Sequence, residues 1–218
     1  MHLDGKTINF LGDSITEGVG TSSSEHIYAS LIERDYHLKR ANNYGISGTR
    51  FARQTIPSEC SRYDLDFCSR VDEMDPNADA VVVFGGTNDF GHGDAPLGSP
   101  NDRTKDTFHG ACHELFTRLL IRYPGKPIVI CTPLHRLDED DPKGSCKKYP
   151  VGTLQTYVDI ITNTARYYGL PVLDLYGTSG IQPSVPLIQQ ALCPDGLHPN
   201  DAGHIVLASR VAGFLQTL

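Results

Sequence analysis

The run DAVVVFGG at residues 79–86 constrains this chain more than any other stretch. Its apolar residues are too few for a helix, are rich in β-branched types, and leave no polar face to turn toward water. A strand of that kind is buried on both sides, which is the mark of a parallel sheet covered by helices. KTINFLG (6–12), KPIVICTP (126–133) and LPVLDL (170–175) have the same character, and RANNYGI (40–46) reads as a weaker strand. Segments of helical period lie between them. SEHIYASLIERDY (24–36) pairs Ile27 with Leu31 and Tyr28 with Ile32, and residues 104–122 gather Phe108, Ala111, Cys112, Leu115 and Leu119 on one face. In 151–168, Val151, Leu154, Val158, Ile161, Ala165 and Tyr168 recur at steps of three and four, and 201–217 forms a last helix capped by Asn200 or Asp201. The alternation predicts an α/β fold, a three-layer α/β/α sandwich around about five parallel strands.

No linker, repeat or low-complexity tract divides the 218 residues, so 1–218 is expected to form a single domain. Lys plus Arg total 19 against 26 for Asp plus Glu, a net charge of −7 with no basic cluster. That balance excludes a nucleic-acid partner, which needs a basic face. No run approaches the ~20 apolar residues of a membrane helix. The opening MHLDGKTINF lacks the apolar core of a secretory signal, so a cytoplasmic protein without a membrane partner is expected. Six cysteines without a C-x-x-C pair fit a reducing compartment, with Cys112 and Cys131 as buried thiols.

Open parallel sheets bind ligands beyond the carboxyl ends of their strands. The residues that follow the strands here are Gly12-Asp13-Ser14, Ser47-Gly48-Thr49, Gly86-Thr87-Asn88-Asp89, the polar loop 134–150 and, after a longer segment, Asp195-Gly196-Leu197-His198-Pro199. Ser14 by itself reads equally well as a helix cap or as a nucleophile. A serine nucleophile needs a base, an orienting partner for that base, and donors for the oxyanion that forms on attack. His198 supplies the base. Asp195, three residues earlier across Gly196, can accept the Nδ1 proton and leave Nε2 free for Ser14. Gly48 can bring a backbone N–H close to substrate, Asn88 can aim its side-chain amide at the same oxygen, and the Ser14 N–H adds a third donor.

Four blocks, GDSI (12–15), NYGISG (43–48), GGTND (85–89) and DGLHPN (195–200), together resemble the SGNH hydrolase superfamily, also called GDSL esterases and lipases. They occur in that family's order across roughly residues 6–217, with Ile15 where the motif's name has Leu. The resemblance implies a flavodoxin-like fold, a Ser14–His198–Asp195 triad, and an oxyanion hole formed by Ser14, Gly48 and Asn88. It implies a small-molecule ester as substrate and no cofactor, and it is compatible with a homo-oligomer.

Competing features carry less weight. Ser47 has no assigned base, and SCKK (145–148) matches S-x-x-K in a polar loop without its partner motifs. His109 and His113 are spaced as metal ligands, yet HGACH lacks the Glu of the zinc-protease pattern, and DEDD (138–141) reads as a solvated run; no metal is expected. Asp13, Asp89, His135 and Arg136 are candidate substrate contacts. The loops 49–70, 89–103 and 134–150 are rich in polar residues and poor in large aliphatics, which favours a short acyl group such as acetyl on a carbohydrate or other polar alcohol. An arylesterase, short-chain lipase or thioesterase is the alternative. A non-catalytic flavodoxin-like module binding a nucleotide or flavin is the rival class, although G-x-x-x-x-G-K-[ST] is absent and Ser23 breaks G-x-G-x-x-G.

Overall fold

A computed structural model describes residues 1–218. Five parallel strands, β1 (Thr7–Gly12), β2 (Arg40–Gly45), β3 (Ala80–Phe84), β4 (Ile128–Cys131) and β5 (Val172–Leu173), form one sheet in the order β2-β1-β3-β4-β5. This is the doubly wound order of flavodoxin-like folds, with its switch point between β1 and β3. β3 and β4 are buried along their whole length, and β1 is buried from Ile8 onward.

Helices cover both faces. On one face Phe67, Phe108, Leu115, Tyr157 and Ile161 belong to a core cluster of 28 buried residues, contributed largely by α3 (Phe67–Arg70), α5 (Phe108–Arg122) and α6 (Leu154–Tyr167). On the other, α2 (Tyr28–Asp35) and α9 (Asp201–Gln216) pack Tyr28, Ile32, Leu207 and Val211 into a second cluster of 25. Asn200 caps α9 by accepting from the Gly203 N–H at 3.0 Å.

Two departures from the sequence expectation, in the 24–36 helix and in β5, have identifiable causes, and the expected weak strand β2 has side-chain support. The helix expected over 24–36 is interrupted at Ile27, whose backbone is extended. There the Tyr28 N–H donates to Nδ1 of His204, 176 residues away, at 3.1 Å, so a tertiary contact takes the donor. β5 is only two residues long because Pro171 precedes it and Asp174 turns the chain by capping the short helix α7 (Leu175–Thr178). β2 is an edge strand of polar residues. It is held by side chains as well as by its ladder: Asn42 donates to Asn9 Oδ1 at 2.9 Å and Asn43 to the Thr16 carbonyl at 2.6 Å. Two short helices that periodicity cannot reveal, α4 (Thr87–Gly91) and α8 (Pro186–Leu192), flank the carboxyl edge of the sheet and the 193–200 loop respectively. No helix is long and apolar enough to cross a membrane.

Candidate active site

β1 delivers Ser14 to the switch point. Asp13 caps the one-turn helix α1 (Ser14–Glu17), accepting from the Ile15 N–H at 3.0 Å. The cap reading therefore belongs to Asp13, and the Ser14 hydroxyl is left free of that duty. It faces His198, with Oγ 3.0 Å from Nε2. Nδ1 of His198 lies 2.7 Å from Asp195 Oδ2. A carboxylate only accepts, so Nδ1 carries the proton and Nε2 is the acceptor for the Ser14 hydroxyl.

The Asp195–His198 turn is built to hold this geometry. Asp195 Oδ1 accepts from the N–H groups of Leu197 at 2.8 Å and His198 at 2.6 Å. Gly196 takes φ +79°, which lets the turn close. Partial burial raises the Asp195 pKa, but the bonds from His198 and Leu197 outweigh it and hold the carboxyl below the usual carboxylate range.

On the other flank, Gly48 follows β2 at φ +73°, where a side chain would be strained and would also meet the Tyr63 ring. Asn88 lies on α4, directly after β3 and Gly86, and is 4% exposed. Its Nδ2 donates to the Thr49 carbonyl at 3.0 Å, and its Oδ1 lies 3.2 Å from His92 Nε2. The sequence blocks at 12–15, 43–48, 85–89 and 195–200 thus meet along one edge of the sheet.

The four candidate substrate contacts have other partners. Asp13 is buried with its oxygen on the α1 N-terminus, and burial pushes its carboxyl up to about 7 against the opposing pull of the Ile15 N–H and Arg70. Asp89 is buried too and accepts from the Phe51 and Ala52 N–H groups, both at 2.9 Å, so it ties the segment after β2 to α4. Burial raises its pKa to about 6. Arg136 donates inward to the Thr87 carbonyl at 3.1 Å and to Ser145 Oγ at 2.7 Å, which supports the start of α4. His135 pairs with Glu139 at 2.8 Å and stacks on Tyr176, lining a separate cleft beside α6 and β5. By sequence position all four offer polar chemistry near strand ends; burial and pairing turn Asp13, Asp89 and Arg136 to internal support, while His135 lines its own cleft.

The competing features also resolve. Ser47 donates to the Glu17 carboxylate, which Arg62 holds as well. Ser145 accepts from Arg136. His113 Nδ1 lies 3.0 Å from the Tyr168 hydroxyl, and no group of three or more His, Cys, Asp or Glu is arranged to hold a metal ion. Glu139 of the DEDD run accepts from the Arg136 N–H at 3.0 Å.

Residues that the sequence reading did not bring into the site are Arg50, His92 and Lys147. Arg50 NH1 lies 3.0 Å from His92 Nδ1. Lys147 donates to the Asp89 carbonyl and to the Tyr157 hydroxyl, each at 2.5 Å, and burial lowers its pKa to about 8. Beside them Gln54, Ile56, His92, Lys147 and Tyr149 line a groove of about 410 Å³. The i,i+4 spacing of Asn88 and His92 is the one local signal; Arg50 and Lys147 have none, because their partners in the site, His92 and Asp89, lie 42 and 58 residues away.

The protein is thus a parallel α/β/α sandwich with a serine, a histidine and an aspartate in hydrogen-bond contact at its switch point. The model of the GDSL-like lipase/acylhydrolase family matches residues 10–206, and the chain belongs to that family. It is thus a hydrolase acting on ester bonds. A crystal structure of a protein from Lactobacillus plantarum aligns at a TM-score of 0.84 and 32% identity, covering 99% of each chain. A lipase/acylhydrolase from Enterococcus faecalis aligns at 0.66 and 20% identity, over 97% of this chain and 96% of that one. A two-domain esterase active on acetylated mannans aligns at 0.67 and 20% identity, over 99% of this chain and 49% of that one. At 20% identity the last two show likeness of fold alone. No curated protein sequence matches the chain.

Proposed function

We propose that the protein is a serine esterase that removes a short, acetyl-type acyl group from a carbohydrate or other polar alcohol. Ser14 is the nucleophile, His198 the general base and acid, and Asp195 the group that orients and stabilises the imidazole. The N–H groups of Ser14 and Gly48 and the amide of Asn88 receive the oxyanion. The observation that carries this reading is the 3.0 Å contact between Ser14 Oγ and His198 Nε2, made by residues 184 positions apart.

In the first half-reaction Ser14 Oγ attacks the ester carbonyl while its proton passes to Nε2. The tetrahedral oxyanion collapses, His198 gives the proton to the departing alkoxide, and an acyl-Ser14 ester remains. Water then attacks that ester with His198 again as base. The C–Oγ bond breaks, Ser14 regains its proton, and the carboxylic acid leaves. Asp195 remains ionised throughout and balances the imidazolium.

The acyl preference draws support from the loops 49–70, 89–103 and 134–150, which are poor in large aliphatics and place the polar side chains of Gln54, His92 and Lys147 in the groove they share. Tyr63, 41% exposed and packed on Gly48, offers an aromatic face to a sugar ring beside the proposed oxyanion donors. The alcohol preference draws on a fold neighbour described as active on acetylated mannans, a property of that protein.

The test is hydrolysis of p-nitrophenyl esters of increasing chain length alongside acetylated mono- and oligosaccharides, with wild type and Ser14→Ala. Turnover should be highest for acetyl, should extend to acetylated sugars, and should vanish in Ser14→Ala. A preference for octanoyl or longer chains would overturn the acyl assignment. Retained turnover in Ser14→Ala would overturn the nucleophile.

A further inference from the structure

We propose that Arg50 and His92 are positioning residues that fix and polarise the amide of Asn88, so that its free N–H points at the oxyanion. This rests on the esterase reading of the site. The argument is one of forced donor and acceptor roles. The Arg50 side chain is 2% exposed, and a guanidinium has donors only. Its NH1 lies 3.0 Å from His92 Nδ1, so Nδ1 must accept. The His92 proton therefore sits on Nε2, which faces Asn88 Oδ1 at 3.2 Å and donates to it. At the other end of the amide, the Thr49 carbonyl can only accept, and Asn88 Nδ2 donates to it at 3.0 Å.

Both ends dictate the same orientation. One Nδ2 hydrogen is taken by Thr49, and the second is left for the substrate. A flipped amide would set oxygen against the Thr49 carbonyl and donor against donor at His92. The chain guanidinium–imidazole–amide also runs donor to acceptor without a break, so each bond polarises the next and leaves the free N–H more positive. Arg50 thereby acts on the oxyanion through two neutral groups. The same guanidinium holds the adjoining wall, donating from NH2 to the Tyr63 carbonyl at 2.9 Å and to Asp64 Oδ1 at 3.0 Å.

The experiment compares steady-state hydrolysis of p-nitrophenyl acetate by wild type, His92→Gln, His92→Glu and Asn88→Ala, with Ser14→Ala as control. Gln and Glu have nearly the same shape. Gln can accept from Arg50 with its oxygen and donate to Asn88 with its NH₂, whereas ionised Glu offers Asn88 only an acceptor. His92→Gln should keep kcat within about fivefold of wild type, while His92→Glu should lose about 10- to 100-fold in kcat, a part of the ~10²–10³ expected for losing one oxyanion donor outright. KM should move less than about twofold in both, because the bond to substrate forms in the transition state. In the Asn88→Ala background the Gln and Glu variants should be equal, since the group through which they act is gone.

Equal kcat for the two variants in the wild-type background would overturn the relay. A Gln–Glu difference that persists without Asn88 would also overturn it. Either result leaves the esterase reading intact as long as Ser14→Ala is inactive. Activity surviving in Ser14→Ala would remove that reading itself.

Discussion

The two arms of the proposed site contrast in how they are held. The proposed acid–base arm is a single turn in which Asp195 and His198 are three residues apart, with side chains 54% and 18% exposed. The proposed oxyanion arm is more deeply buried, with Asn88 at 4% and the Arg50 side chain at 2% exposure. It is assembled from residues 39 and 42 positions apart in the chain. A base that exchanges protons with incoming water can sit near solvent and be built locally. Dipoles that must already point at a developing charge gain most where the dielectric is low and nothing needs to reorganise. The contrast teaches that one arm can be altered without disturbing the fold, whereas the other is part of the packing.

The largest effect tests the exposed arm. His198→Ala should lower kcat by about 10⁴ or more, because members of a triad act as a unit. Its thermal midpoint should stay near that of wild type, since the His198 side chain bonds only to Ser14 and Asp195. A large loss of stability would erase the contrast.

Asn88→Ala comes next and should cost about 10²–10³ in kcat. Unlike His198→Ala it should also cost about 1–3 kcal/mol of stability, because the Thr49 carbonyl and His92 Nε2 are left without their partner. Denaturant unfolding of the two variants side by side measures the difference. An unchanged midpoint for Asn88→Ala would show that the buried arm does not share in the packing.

The smallest effect on turnover is expected for Asp13→Asn, which keeps the capping oxygen and removes the charge. The Asp13 carboxyl has its pKa raised from 3.8 to about 7 in the folded protein. As pH rises from about 4 to about 7, the unfolded chain releases this proton while the folded protein retains it, so stability falls. Above about 7 both states are ionised and the cost is constant. Unfolding free energies at pH 5 and pH 8 should therefore change less favourably with rising pH in wild type than in Asp13→Asn, and the variant should be the more stable of the two at pH 8. The other contributions are common to both proteins: Asp89, raised to about 6, acts in the same direction as Asp13, while buried His92 and His204, held down to about 4, act in the opposite one. Identical slopes in the two proteins would show that the Asp13 carboxyl does not titrate as its burial requires.

Local pattern carried much of this. The strand DAVVVFGG announced β3, and the periodicity at 151–168 announced α6. The D-x-x-H spacing of Asp195 and His198 was readable because three residues and a glycine suffice to close that turn. The break at Ile27 was not readable, because its cause is a histidine on the last helix. Nor was the inward turn of Asp13, Asp89 and Arg136, since a polar residue at a strand end looks the same in sequence whether it faces substrate or backbone.

The sequence by itself determined the layers of the fold, the chemistry available at each strand end, and the local turn that pairs an aspartate with a histidine. All of these depend on neighbours a few residues away, through side-chain period and turn geometry. Only the tertiary structure decided that Ser14 faces that histidine, that Asp13 takes the helix cap, and that a buried arginine reaches Asn88 through His92. Those outcomes are set by which donors and acceptors remain unpaired once the sheet and its helices exclude water, a condition of the folded chain as a whole.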